Sequence, residues 1–276
     1  MRRRCVRCVL ATIVSVSDPA DPRLEPYLRV RERDLVGRDA GFIAEGEVVL
    51  RALLAPRSRC RPRSLLVAEN RLARLAPLIE ALNDDAPVYA ASQAVMDAAV
   101  GFHIHRGVLA HGERPPDPGA ARLLANLPAR ARVVALFGVA NHDNVGGVFR
   151  NAAAFGADAV LLNPACCDPL YRKAIRVSVG AAFTVPFARL RAGEDAVALL
   201  QGAGFDVLAL SPGGRERLGA VVPPTRAALL LGAEGPGLPP PVMDRARTVS
   251  IAMAPGWDSL NLAAATAVAL HHLSGL

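Results

Sequence analysis

The chain has 276 residues, 52% hydrophobic and 21% charged, and its 32 basic residues against 25 acidic ones give a formal charge of +7. This composition excludes a disordered or fibrous chain, and the length admits two domains at the usual size of about 150 residues each. The positive charge favours a polyanionic partner such as nucleic acid, although Lys173 is the sole lysine and a general arginine bias accounts for part of the excess.

Residues 2–4 are arginines and 9–14 form an apolar run, which superficially copies a secretory leader. Arg7 interrupts the run and no small-residue cleavage site precedes the Asp/Pro turn at 18–22, so a first strand, or a misassigned start codon, is expected instead. Cys5 and Cys8 form one C-x-x-C with no second ligand pair, and Cys166 and Cys167 are adjacent; reduced thiols in a cytoplasmic protein and no metal are expected. No run approaches the ~18 apolar residues of a membrane span, so no membrane partner is expected.

Residues 24–54 read as helical with a break near 37–41, because Phe42, Ile43, Val48, Val49, Leu53 and Leu54 fall at helical spacings. A basic turn follows at 56–62, with Arg57, Arg59 and Arg61. A strand is expected at 64–68, a helix at 72–82 interrupted at Pro77, a strand at 88–90, and a helix at 93–100 capped by Ser92. His103 and His105 alternate on what reads as a strand; without a third ligand they suggest an RNA contact or a structural role. Residues 1–112 thus form a small α/β domain. Residues 113–131 carry Pro115, Pro116, Pro118 and Gly119 and read as a linker.

Residues 132–276 show a cleaner alternation. Strands are expected at 133–137, 159–162, 184–187, 207–210, 227–231 and 248–253. Helices are expected at 145–155, where Asn144 can serve as cap, and at 172–179 and 195–202, with a short helix after 238 and a long Ala-rich one after Asn261. Such alternation predicts a mostly parallel sheet with helices on both faces. The strands at 227–231 and 248–253 end in Gly/Pro-rich loops holding a few polar side chains, the arrangement of a small-molecule site at the carboxyl ends of parallel strands. Neither the G-x-G-x-x-G spacing nor the GK[ST] of phosphate-binding loops is present.

Arg150 lies near the first turns of its helix, unfavourably for the helix dipole. Alone it reads more readily as a solvated surface arginine. Three loops in order change that: Asn144-x-Gly146-x-x-x-Arg150, the Leu-Gly-Ala-Glu-Gly-Pro-Gly-Leu run over 231–238, and Ile251-x-Met253-x-x-Gly256-x-x-Ser259-Leu260-Asn261. They closely resemble the three motifs of the SpoU/TrmH family of RNA ribose 2′-O-methyltransferases, in the SPOUT superfamily, over about 133–273. The stretch 168–181 fits too. The pieces 42–47 and 105–108 resemble the substrate-binding domain, related to RNA-binding ribosomal proteins, that often precedes the family's catalytic domain.

The resemblance implies a deep trefoil knot in the carboxyl-terminal domain, S-adenosyl-L-methionine as cofactor, structured RNA as substrate (ribosomal RNA ahead of transfer RNA) and a homodimer. Carried over by motif position, Leu210, Gly232, Gly237, Ile251, Met253 and Leu260 are the cofactor-binding candidates. Arg150, Ser259, Asn261, Glu234 and Asn144 are the catalytic candidates, with Arg150 activating the 2′-hydroxyl and Asn144 and Glu234 holding it and the loops in place. Two departures stand out: Ala252 replaces a usual Pro, and Leu262-Ala263 follows Ser-Leu-Asn where Val-Ser is frequent. Arg172, Lys173 and Arg176 suit RNA phosphates or a plain solvated face. Trp257 covers the cofactor or packs at a dimer interface, and His271 and His272 suit a helix end. A silent RNA-binding protein that retains the fold is the alternative, against which the intact Arg150, Glu234, Ser259 and Asn261 argue.

Overall fold

A computed structural model describes residues 12–28, 41–82 and 86–275 of the chain, which divide into two compact units, Met1–Pro115 and Pro116–Leu276. The Cys5/Cys8 pair and the first part of the 24–54 stretch beyond Leu28 lie outside the described residues.

In the first unit β1 (Ile13–Val16), β2 (Gly41–Glu45), α1 (Glu47–Leu54), β3 (Arg61–Ala68), α2 (Leu72–Ile79), β4 (Val88–Ala91), α3 (Gln93–Val100) and β5 (Val108–Glu113) follow in order. They build a sheet of order β1-β4-β3-β5-β2, parallel across β1, β4 and β3 and antiparallel at β5 and β2. Residues 41–45, expected as helix, are therefore a strand. All five are buried: Ile43 enters the core with Leu66, Met96 and Leu109, while the Phe42 ring covers Gly112. A run this short, apolar up to Glu45, carries no period that separates helix from strand, and Gly46, at φ +97°, breaks the chain before α1 begins.

Ser92 caps α3 as expected, its Oγ accepting from Val95 N at 3.3 Å. His103 and His105 lie in a turn rather than a strand. The Asp97 carboxylate gathers that turn, taking His103 Nδ1 at 2.6 Å, Ile104 N at 2.9 Å and Gln93 Nε2 at 2.7 Å. Burial works to raise the Asp97 pKa, but these hydrogen bonds and the nearby imidazole together hold it below its ordinary value.

In the stretch read as a linker, Glu113 ends β5, and α4 (Ala120–Ala125) inserts Ala120, Leu123 and Leu124 into the core of the second unit. There β6 (Ala131–Phe137), α5 (His142–Ala154), β7 (Ala159–Leu162), α6 (Arg172–Val177), β8 (Phe187–Arg189), α7 (Ala196–Gly202), β9 (Asp206–Leu210), β10 (Glu216–Arg217), β11 (Arg226–Gly232), α8 (Pro240–Met243), β12 (Arg247–Ser250) and α9 (Leu262–Ser274) follow. All pairs in this sheet are parallel, in the order β10-β12-β9-β11-β6-β7-β8. The run from β6 to β8 goes to one edge and the chain then crosses back, with β11 inserted between β6 and β9. That reversal opens a crevice at the carboxyl ends of β9 and β11.

Local chemistry sets several boundaries. Asn141, not Asn144, caps α5, accepting from Asp143 N at 2.9 Å. The strand expected at 184–187 starts only at Phe187, after a 3-10 turn over Ala181–Phe183. Residues 251–253 continue past β12 as loop. Close approach of α5 and α9 depends on Gly147, whose added Cβ would meet Ala263 Cβ at 2.5 Å, and Asn151 Nδ2 donates to Ala263 O at 2.6 Å. Arg132 fastens the far end of α9, donating to Leu273 O and Ser274 O at 2.9 and 2.8 Å. Among the described residues no helix is long and apolar enough to cross a membrane.

Val179, after α6, has φ +55°, a left-handed conformation that a β-branched side chain adopts only under strain. Val179→Gly should relieve about 1 kcal/mol net of glycine's own entropy cost and raise the melting temperature by about 2–4 °C in a calorimetric scan.

Candidate active site

Three loops converge at the carboxyl ends of β9, β11 and β12. The β11 strand is apolar and buried from Ala227 to Leu231, then ends at Gly232. A Cβ on Gly232 would lie 2.1 Å from Gly237 C and 2.3 Å from Leu238 N, so only glycine lets the loop fold back on the strand end. Gly237 N donates to Ala233 O at 3.0 Å, Gly235 and Gly237 take positive φ, and buried Leu238 anchors the return.

The resulting cavity is walled by Leu210, Leu231, Ile251, Met253, Leu260 and Leu262, with Gly232 and Gly237 exposing backbone between them. All six cofactor-binding candidates line this one cavity, together with Glu234 and Ser259. Among the described residues that line it, Glu234 and Asp258 are the only ionisable ones and none is a cation. An apolar slot with two carboxylates at its rim suits a ligand carrying positive charge and repels a di- or triphosphate.

Ser211, Pro212, Asp258 and Ala265 also line the cavity and were not singled out from sequence. Ser211-Pro212 directly follows a strand end, which is the signal that points to it. Ala265 lies one turn into α9 and carries no such signal.

Asn144 is 2% exposed and joins the loops: its Nδ2 donates to Glu234 Oε1 at 2.7 Å, and its Oδ1 accepts from Asn261 Nδ2 at 3.0 Å. Asn261 in turn caps α9, its Oδ1 accepting from Ala263 N at 2.9 Å and Ala264 N at 3.3 Å. Four catalytic candidates are thus placed at the cavity or tied to it. Arg150 differs. It is exposed on α5, does not line the cavity, and has no hydrogen bond or ion pair to any described residue. Asn144 and Glu234 hold each other and Asn261 rather than Arg150.

Residues 131–271 match the SpoU rRNA methylase family. A tRNA/rRNA methyltransferase of Mycobacterium tuberculosis, described as uncharacterised, is 42% identical over 270 residues, 94% of this chain and 91% of that one. A 23S rRNA (guanosine-2′-O-)-methyltransferase of Salmonella typhi is 30% identical over 71% of this chain and 83% of its own length. The crystal structure of an AdoMet-bound rRNA methyltransferase from Sinorhizobium meliloti superposes with a TM-score of 0.77 at 26% identity, covering 95% of this chain and 97% of the other.

The amide of Asn144 is required to donate to a carboxylate and accept from an amide at once. Asn144→Ala should lower the stability of the second unit by about 1–3 kcal/mol in urea unfolding. The nearly isosteric Asn144→Asp should cost at least as much, since it sets a second carboxylate against Glu234. A wild-type urea midpoint for the aspartate variant would show that the bond to Glu234 does not form.

Proposed function

The chain belongs to the SpoU rRNA methylase family, and we propose that it transfers the methyl group of S-adenosyl-L-methionine to a ribose 2′-hydroxyl of structured RNA, ribosomal RNA ahead of transfer RNA. The observation that carries this reading is the cavity at the ends of β9, β11 and β12, apolar within and acidic at its rim. Leu210, Ile251, Met253 and Leu260 form the walls for an adenine ring, and the glycine-rich turn at 232–237 offers backbone groups at close range. Glu234 and Asp258 complement the cationic parts of the ligand. Bound there, S-adenosyl-L-methionine supplies an electrophilic methyl on a sulfonium.

The protein's own part in the reaction is to orient the RNA and lower the cost of ionising its hydroxyl. Arg150 is exposed and unpaired among the described residues, so its guanidinium is available to RNA. Its role as a guanidinium is to grip the phosphate beside the target ribose and stabilise the 2′-alkoxide that forms as the hydroxyl's proton passes to solvent. Ser259 offers a hydroxyl at the cavity rim. Asn144, Glu234 and Asn261 keep the α5 start, the β11 turn and the α9 start in register. The knot implied by the three motifs belongs to the same reading, as does a division of labour in which residues 1–112 recognise RNA and 132–276 catalyse.

A homodimer in the cytoplasm completes the proposal. Trp257, Leu260 and Val268 expose 76%, 46% and 45% of their surface. Leu218, Ala252 and Val268 line an open groove along α9, apolar surface suited to a second copy.

Calorimetric titration of S-adenosyl-L-methionine, with methyl transfer from labelled cofactor to ribosomal RNA, tests the function. Failure of both would sink it; cofactor binding without transfer would leave a silent RNA-binding protein. In the same assays Arg150→Ala should lower kcat by about 100-fold or more while cofactor affinity changes little. Gly232→Ala should do the reverse, weakening cofactor binding because the 233–238 turn cannot close. Equal loss of both parameters in Arg150→Ala would overturn its assignment.

A further inference from the structure

Four arginines fall in seven residues at the head of β3: Arg57, Arg59, Arg61 and Arg63. Among the described residues of the first unit Arg23 meets Asp21 and both Arg51 and Arg74 meet Glu47, whereas Arg71 and Arg106 stand singly. At this turn the balance differs. Arg63 pairs with Glu113 at 3.1 Å, and Arg61 is the cross-strand neighbour of the same residue. Arg57, Arg59 and Arg61 have no hydrogen bond or ion pair to any described residue. Of the four guanidiniums only that of Arg63 is ion-paired, to the Glu113 carboxyl, whose pKa is lowered first by its bond to Arg63, then by the charges of Arg63, Arg61 and His111.

The backbone that carries them is fixed. Ser58 N donates to Ala55 O at 2.8 Å, Ser58 Oγ donates to Cys60 O at 3.1 Å, and Cys60 N donates back to Ser58 Oγ at 3.3 Å. Cys60 is buried and roots the turn in the unit. Arg57 and Arg61 stand exposed on either side of it, with Arg59 half-buried between them. Presentation of several cations from an ordered turn reduces what binding must spend on ordering the protein. The delocalised, forked guanidinium matches phosphate oxygens. No large aromatic side chain lies within residues 56–63, so the turn offers phosphate contacts rather than base stacking.

We propose that the 57–63 turn binds the phosphate backbone of the RNA substrate without reading its sequence, an inference that rests on the RNA-methyltransferase reading. The surface lies at the end of the first sheet where β3 begins and β5 ends, with Arg61, Glu113 and Gly41 in register across three strands. Gly46 and Gly107 are at the opposite end. Backbone contact there anchors the RNA body and leaves recognition of the target nucleotide to other parts of the molecule.

The test uses the full chain and a fluorescein-labelled hairpin RNA of ribosomal sequence, titrated over a salt series. The variant Arg57→Ala/Arg59→Ala/Arg61→Ala should bind with a salt slope shallower by about 2–3, since each lost phosphate contact removes roughly 0.7–0.9. The KM for RNA should rise about 10-fold or more, while kcat, cofactor affinity and melting temperature stay at wild-type values. Arg23→Ala/Arg51→Ala, which removes paired arginines of the same unit, should leave the slope nearly unchanged. An unaltered slope in the triple variant, or an equal fall in both variants, would overturn the proposal. If the wild-type chain binds the hairpin with the steeper slope yet neither takes up S-adenosyl-L-methionine nor methylates RNA, the methyltransferase reading fails and the turn's role stands.

Discussion

A pair of side-chain hydrogen bonds at Asn144 holds the second unit's site together. One reaches 90 residues along the chain to Glu234 and the other 117 residues to Asn261. Contacts so distant in sequence close large loops, an entropic cost that only a structure already braced elsewhere can meet. The bracing is visible: seven parallel strands in register, Gly147 set against Ala263, and Arg132 fastened to the last carbonyls of α9. Only with those in place do three loops from separate strands meet at one amide. That amide is buried, so neither bond is exchanged for water at little cost.

From this tie the cavity follows. Asn261 is both partner to Asn144 and cap of α9, so the loop before it, with Asp258, Ser259 and Leu260, is held over the strand ends instead of spreading into solvent. Glu234 is the other partner, and its position depends on the turn that Gly232 permits. Arg150 stands outside this lattice of bonds. Its side chain is exposed and has no partner among the described residues, and it is thereby open to an anionic partner.

Much of this was legible in the sequence, for identifiable reasons. Strands such as 159–162 and 227–231 are continuous apolar runs bounded by breakers, the signature of a sheet covered on both faces. The cavity's glycines and Leu210, Ile251, Met253 and Leu260 were reachable through ordered motifs. What failed has equally local causes. Asn141 and Asn144 have the same capping chemistry three residues apart, and only the structure shows that the first caps while the second is turned inward. Phe42 and Ile43 sit at helical distances from Val49 and Leu53 yet belong to a strand, because Gly46 resets the direction between them. Ala265 enters the cavity through the packing of α9, and no residue type announces that.

Charge is the least legible property and the most instructive one. The formal charge of +7 describes neither surface that matters. Among the described residues the cavity is lined by two carboxylates and no cation, whereas the turn at 57–63 carries four guanidiniums of which only Arg63 is ion-paired, to Glu113. A chain that binds a cationic small molecule and a polyanion must keep those surfaces from competing for each other's ligand. Opposite local signs do so at the level of Coulomb energy: phosphates are repelled from the acidic rim and a sulfonium gains nothing at the arginine turn. Arg150, exposed in the same unit as that acidic pocket, has no ion pair to any described residue and so stays open to an anionic partner.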